Sequence, residues 1–170
     1  EHPFFALKGG DTRVREYVNG NVTVTVRPAV EIGMATIFDK DVWIYCVSKM
    51  SQANYDGHPI SRTVRFTAYD FCLTTNRELG GKTYKDLKKA LSRLAGTRIT
   101  TNLKEVGFEE DVDIGLINQW RVVEESKGKM NIDMIEVALP DWLFKAVTET
   151  RILKISPDYF RIRKAIDRRL

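Results

Sequence analysis

The sequence predicts an α+β fold, a winged helix-turn-helix: a three-helix core, a small antiparallel sheet with a β-hairpin wing, an extra N-terminal strand and C-terminal helices. Three observations predict it. The run from Ser61 to Thr101, SRTVRFTAYDFCLTTNRELGGKTYKDLKKALSRLAGTRITT, reads as strand, helix, glycine turn, helix and strand. The second of those helices carries Lys85, Lys88, Lys89 and Arg93 against a single acid, Asp86. Two alternating arms, from about Ile114 to Glu125 and from about Met130 to Leu139, flank the basic, glycine-containing tip SKGK at 126–129.

The elements follow in order. Val22, Val24 and Val26 alternate with Thr23, Thr25 and Arg27, which makes a half-buried strand that Pro28 ends. From Asp39 to about Gln52 apolar residues fall on nearly every side, so this is a deeply buried helix with Thr36 or Asp39 as N-cap. A polar loop through Asn54, Asp56, Gly57 and Pro59 leads to a short strand, Thr63 to Phe66. Thr67 caps the next helix, with Asp70 three residues on. That helix stops near Arg77, because Gly80 and Gly81 supply the freedom for a tight interhelical turn. Thr83 and Asp86 repeat the capping pattern. Tyr84, Leu87, Leu91 and Leu94 then form the core stripe of a helix that Gly96 ends.

Arg98 to Leu103 alternates as a strand, and an acidic loop, Glu105 to Asp113, separates it from the hairpin. Pro140 opens another helix at its first turn, with Trp142, Leu143, Ala146 and Val147 as its apolar set. Ser156, Pro157 and Asp158 open a last, arginine-rich one that breaks off in mid-pattern at Leu170. The division predicted is 1–34, an N-terminal extension with a strand; 35–150, the winged-helix domain; and 151–170, the start of a C-terminal helix leading onward.

At 170 residues and 43% apolar composition the chain suits one ordinary domain with a continuous core. No run approaches the roughly 18 to 20 apolar residues of a bilayer span, so no membrane role is expected. Cys46 and Cys72 lack CxxC or histidine spacing and read as buried free thiols of a reducing compartment, hence a cytoplasmic setting. The net charge of +4 is unevenly spread. Residues 1–61 hold six basic and seven acidic side chains, and 62–98 hold nine and three. Residues 99–150 hold five and eleven, and 151–170 hold seven and two. Positive charge is concentrated in the helix-turn-helix and at the C-terminus, as a polyanion-facing surface requires.

The periodicity that buries the leucines turns the cations outward. Lys82, Lys85, Lys88, Lys89 and Arg93 are therefore the candidate phosphate or base contacts, with Ser92 as a short polar one and Lys127 and Lys129 on the wing. Arg62 and Arg65 alternate across Val64 and face either acidic loop residues or DNA. Catalytic chemistry finds no support. His2 and His58 are far apart with no HxH spacing, Gly80-Gly81-Lys82-Thr83 imitates only the tail of a phosphate loop, and Glu109, Glu110, Asp111 and Asp113 lack calcium-loop spacing. No catalytic residue, metal or cofactor is expected.

Separate blocks of the chain also resemble the plasmid replication initiator protein A family. They are HPFFALKGGDTR (2–13), MATIFDKDVWIYCVSKM (34–50), SRTVRFTAYDFCLTTNR (61–77), LKKALSRLAGTRITTN (87–102), ALPDWLFKAV (138–147) and the closing DYFRIRKAIDRRL. The resemblance implies a bacterial, plasmid-encoded initiator that binds repeats of double-stranded origin DNA, helps open the duplex and recruits host replication factors. It further implies a winged-helix fold, a change between dimers and DNA-bound monomers, and a sequence that runs on past Leu170. Two other readings stay open: a dimerisation or interaction module whose downstream domain reads the DNA, and a winged-helix transcription regulator.

Overall fold

The structure, a computed structural model, describes residues 4–102, 112–127, 130–149 and 157–162. Its elements run β1 (Arg15–Asn19), β2 (Val22–Arg27), α1 (Lys40–Tyr55), β3 (Thr63–Thr67), α2 (Ala68–Thr74), α3 (Gly81–Gly96), β4 (Arg98–Thr101), β5 (Val112–Gly115), β6 (Gln119–Lys127), β7 (Met130–Ala138) and α4 (Asp141–Glu149), then a 3-10 turn, Pro157–Arg161. The result is a mixed α+β fold with two small antiparallel sheets, ordered β1-β2-β4-β5 and β3-β7-β6.

α1 is set by a reciprocal cap. The Thr36 amide donates to Asp39 Oδ2 at 2.8 Å while the Asp39 amide donates to Thr36 Oγ1 at 3.3 Å, so both candidate caps take part. The helix then buries Val42, Ile44, Tyr45, Cys46, Val47 and Met50. Tyr45 is the hub of an aromatic cluster, edge-on to Phe66 at 4.9 Å and to Phe71 at 5.3 Å. Its hydroxyl donates to Asp70, which Lys49 also holds at 2.6 Å. α2 begins as its sequence predicts, with Thr67 Oγ1 accepting from the Asp70 amide at 3.1 Å.

The turn after α2 departs from expectation. The left-handed residue is Asn76, φ 55°, and Gly80 is extended. Arg77 N–H donates to Cys72 O at 2.9 Å and Asn76 N–H reaches back to Leu73 O, a Schellman closure. Asparagine tolerates this geometry, so the stop comes earlier than the glycines suggested. α3 likewise starts at Gly81 rather than after Thr83.

The strands also divide differently. Arg98–Thr101 does not join the hairpin; it pairs with β2 and β5 in the four-stranded sheet. The expected first arm of the hairpin is two strands, one in each sheet, linked by the buried Leu116 and Ile117. Gly115 makes the switch: a Cβ there would lie 2.7 Å from Ile117 O, closer than any side chain allows. β1, with its two-residue turn at Gly20 and Asn21, was not anticipated; it pairs with β2 from Arg15↔Val26 to Asn19↔Val22.

One apolar cluster joins the parts. Phe5, Ala6, Val24, Val26 and Met34 share it with Tyr45, Phe71, Leu87, Leu91, Leu94, Ile135 and Val137. α4 closes the far side, where Trp142 lies 6.3 Å from Trp43 and the Trp43 indole N–H donates to Leu116 O. No helix among the described residues is long and apolar enough to cross a membrane.

Candidate nucleic-acid interface

α3 presents one buried and one charged face. Leu87, Ala90, Leu91 and Leu94 are buried against the core. Lys82, Lys85 and Lys89, at spacings of three and four, are exposed, and none has an ion-pair partner among the described residues. The stripe spans about two turns, or roughly 10 Å. Lys88 sits on its flank, its ammonium 4.4 Å from the centroid of the Tyr84 ring. Tyr84 in turn donates to Asp133 Oδ2 at 2.9 Å, so the first turn of α3 is tied to hairpin strand β7. Burial, with that hydrogen bond, pushes the Tyr84 phenol up to about 12.

Two helix candidates are engaged within the protein. Arg93, one turn beyond Lys89, grips Asp39 with both Nε (2.7 Å) and Nη2 (2.8 Å). Asp39 is almost wholly buried, its side chain 4% exposed, and an unpaired carboxylate there would be costly. Arg93 is therefore a strut between α3 and the start of α1, with Nε and Nη2 both engaged within the protein. Ser92 Oγ donates back to Lys88 O at 3.1 Å within the helix. Lys129 and the side chain of Lys127 lie outside the described residues; β6 itself runs to Lys127.

A second strut lies beside the first. Arg77, just past α2, donates to Asp41 Oδ2 at 2.9 Å and to Phe38 O at 3.1 Å, and Asp41 is fully buried. The two aspartates at the start of α1 thus hold α3 and the chain after α2. The sequence offered a weak sign of this, DKD at 39–41 with arginines after α2 and on α3, but no periodicity connects them. Of the ambiguous arginines, Arg62 pairs with Asp141 and Arg65 with Glu136 at 2.9 Å. Glu136 also accepts from Arg121, one strand over, in the register Arg65↔Glu136↔Arg121. The acidic partner holds in both cases, as a helix start and a strand neighbour rather than a loop. No group of three or more histidine, cysteine, aspartate or glutamate residues capable of holding a metal occurs among the described residues.

Helix, strand, helix pair and hairpin, with a lysine stripe on the second helix of the pair, define a mixed α+β protein with one cationic helix face. A family model, Replication initiator protein A, matches residues 1–170, and the chain belongs to that family. It is 52% identical over 172 residues to the "Putative replication protein" of Wigglesworthia glossinidia brevipalpis, covering all of this chain and 62% of that protein. The chain thus spans about three fifths of the relative's length. Crystal structures of domains 2 and 3 of RctB share the fold. One superposes with a TM-score of 0.62 at 10% identity over 90% of this chain and 62% of that one. The other gives 0.61 at 9% identity over 94% and 62%.

Proposed function

We propose that this chain is the DNA-binding region of a non-enzymatic replication initiator, and that it binds the double-stranded repeats of a plasmid origin in the bacterial cytoplasm. The observation that carries the reading is the lysine stripe Lys82, Lys85 and Lys89, exposed and without an ion-pair partner among the described residues, on a helix that the buried Arg93–Asp39 pair ties to the start of α1. The element order α1-β3-α2-α3, followed after β4 and β5 by the hairpin β6-β7, and the sheet order β3-β7-β6 support a winged-helix reading. In it α3 lies in the major groove and the β6–β7 hairpin, with Lys127 and Lys129 at its tip, reaches the flanking backbone. The family membership supports initiation as the purpose, with opening of the duplex and recruitment of host factors as its consequences.

The test is binding as a function of salt. With about six phosphates neutralised, log K falls against log salt with a slope near −5, and Lys82→Ala/Lys85→Ala/Lys89→Ala flattens it by about 2.7. A wild-type slope near zero removes the reading. A second reading, an interaction module that pairs two copies, is favoured by Val14 and Val18 at the edge strand β1, which are 60% and 66% exposed. Sedimentation that stays monomeric at high concentration removes that one.

A further inference from the structure

We propose that the N-terminal loop preceding and entering β1 is a second anion site, shaped to hold a phosphate group of a nucleic-acid strand or of a free nucleotide. The loop surrounds an open cavity of about 610 Å³ lined by residues 7–13 and Arg15. Three cations, Lys8, Arg13 and Arg15, face one carboxylate, Asp11, and leave an excess of positive charge.

Asp11 arranges the arginines. Its Oδ1 accepts from the Arg13 amide and Nε, each at 3.1 Å, and its Oδ2 accepts from Arg13 Nη2 at 3.0 Å and Arg15 Nη2 at 2.7 Å. These bonds hold its carboxyl well below the usual carboxylate range, with the Arg13 side chain as the first cause and Arg15 next. The acid therefore stays charged and the two guanidinium forks stay side by side. Arg13 is committed through Nε and Nη2 only; its side chain is 83% exposed and Nη1 has no partner among the described residues. Lys8 is exposed and likewise unpaired. A guanidinium edge offering donors in a plane, with an ammonium nearby, is the donor set that phosphate oxygens accept from.

The backbone is built to the same end. Ala6 N–H donates to Ala35 O, Ile37 N–H to Ala6 O and Met34 N–H to Asp11 O, all at 2.8 Å, so both feet of the loop are pinned. At the second foot Gly33 comes so close that a Cβ on it would lie 3.2 Å from Gly10 Cα. Gly9 and Gly10 themselves border open space, so an anion can approach their backbone without meeting a side chain. Charge, fixed forks and a bare backbone arch converge on one cavity. The site is also separate from the lysine stripe: its platform, Met34 and Ala35, bonds to Thr97 beyond the C-terminal end of α3, through Ala35 N–H to Thr97 Oγ1 at 2.9 Å.

The test uses the 170-residue chain with Lys8→Gln/Arg13→Gln, both exposed positions, beside Lys82→Gln/Lys85→Gln/Lys89→Gln. An unchanged thermal midpoint verifies folding. Fluorescence anisotropy follows a labelled duplex from the origin of the chain's own replicon between about 50 and about 200 mM salt, and a fluorescent ATP analogue in parallel. If the phosphate belongs to a strand, the loop variant binds the duplex about fivefold to twentyfold more weakly and its salt slope falls by about 1.8. If it belongs to a nucleotide, the wild type binds the analogue, the loop variant does not, and duplex binding is unchanged. Either result supports the site. Loss of duplex binding in the stripe variant alone, with the loop variant equal to wild type for both probes, overturns the loop site and leaves the α3 reading standing. The reverse pattern supports the loop and removes α3.

Discussion

A single arginine separates the two roles that a cationic helix residue can play. Arg93 and Lys89 are one helical turn apart, and composition alone makes them equivalent. Arg93 is a strut because Asp39, buried and already accepting from Thr36, requires a charged partner. Arg93→Ala is therefore expected to cost about 2 to 4 kcal/mol of stability by stranding that carboxylate. Lys89→Ala should leave stability within about 0.5 kcal/mol and weaken duplex binding by roughly 1 to 3 kcal/mol if the lysine meets a base. Urea melts and binding isotherms on the two variants separate the effects; equal melting curves would refute the strut. Tyr84 gives a pH test. Burial, with the bond to Asp133, pushes its phenol up to about 12 in the fold. The unfolded value is near 10. A group that holds its proton more tightly when folded stabilises fully below the unfolded value and loses that contribution as pH rises toward the folded one. Alkaline destabilisation between about pH 10 and about pH 12 should be smaller in Tyr84→Phe, read from melts at stepped pH.

At the scale of elements, the sequence disclosed what periodicity controls and concealed what a single contact controls. The spacing of Leu87, Leu91 and Leu94 located α3 and its buried face, Thr67 located the start of α2, and the alternation of Val22, Val24 and Val26 located β2. The lysine positions came with the leucines, because one helical period sets both faces. The Schellman turn did not, since Asn76 rather than a glycine takes the left-handed conformation. Nor did the switch at Gly115, because an arm that alternates correctly for one sheet alternates correctly for two. Ion pairs between distant elements leave no local pattern at all, so Arg93 could not be told from its lysine neighbours. The turn is testable: Asn76→Val, a β-branched residue at φ 55°, should cost about 1 to 2 kcal/mol, and Asn76→Gly much less. Calorimetry on both variants checks the order, and an equal loss would show that the side chain, not the backbone, matters there.

For the whole molecule, the question is whether the first 34 residues are an addition to the rest of the α+β fold or part of it. The contacts argue for a part. Phe5 and Ala6 are buried, Ala6 bridges to Thr36 just ahead of α1, and Ala35 bonds the residue that caps α3. β2 also supplies the central edge on which β4 pairs, so the strand that leaves α3 has its partner in the N-terminal segment. Removing residues 1–13 takes away Phe5, the loop that receives Met34 N–H and the bridge at Ala6, while keeping β1 and β2. Burying a phenylalanine is worth about 3 to 5 kcal/mol against its loss, so the shortened chain should unfold at clearly lower urea. The informative detail is the probe. Trp43, Trp120 and Trp142 all lie in the helices and hairpin, away from the deleted segment in sequence. If the N-terminal segment belongs to one cooperative unit, tryptophan fluorescence and far-ultraviolet circular dichroism shift together to the lower midpoint. If it is an addition, the tryptophan transition keeps its original midpoint after the deletion, and the loop would then be a separable arm on an independently folding core.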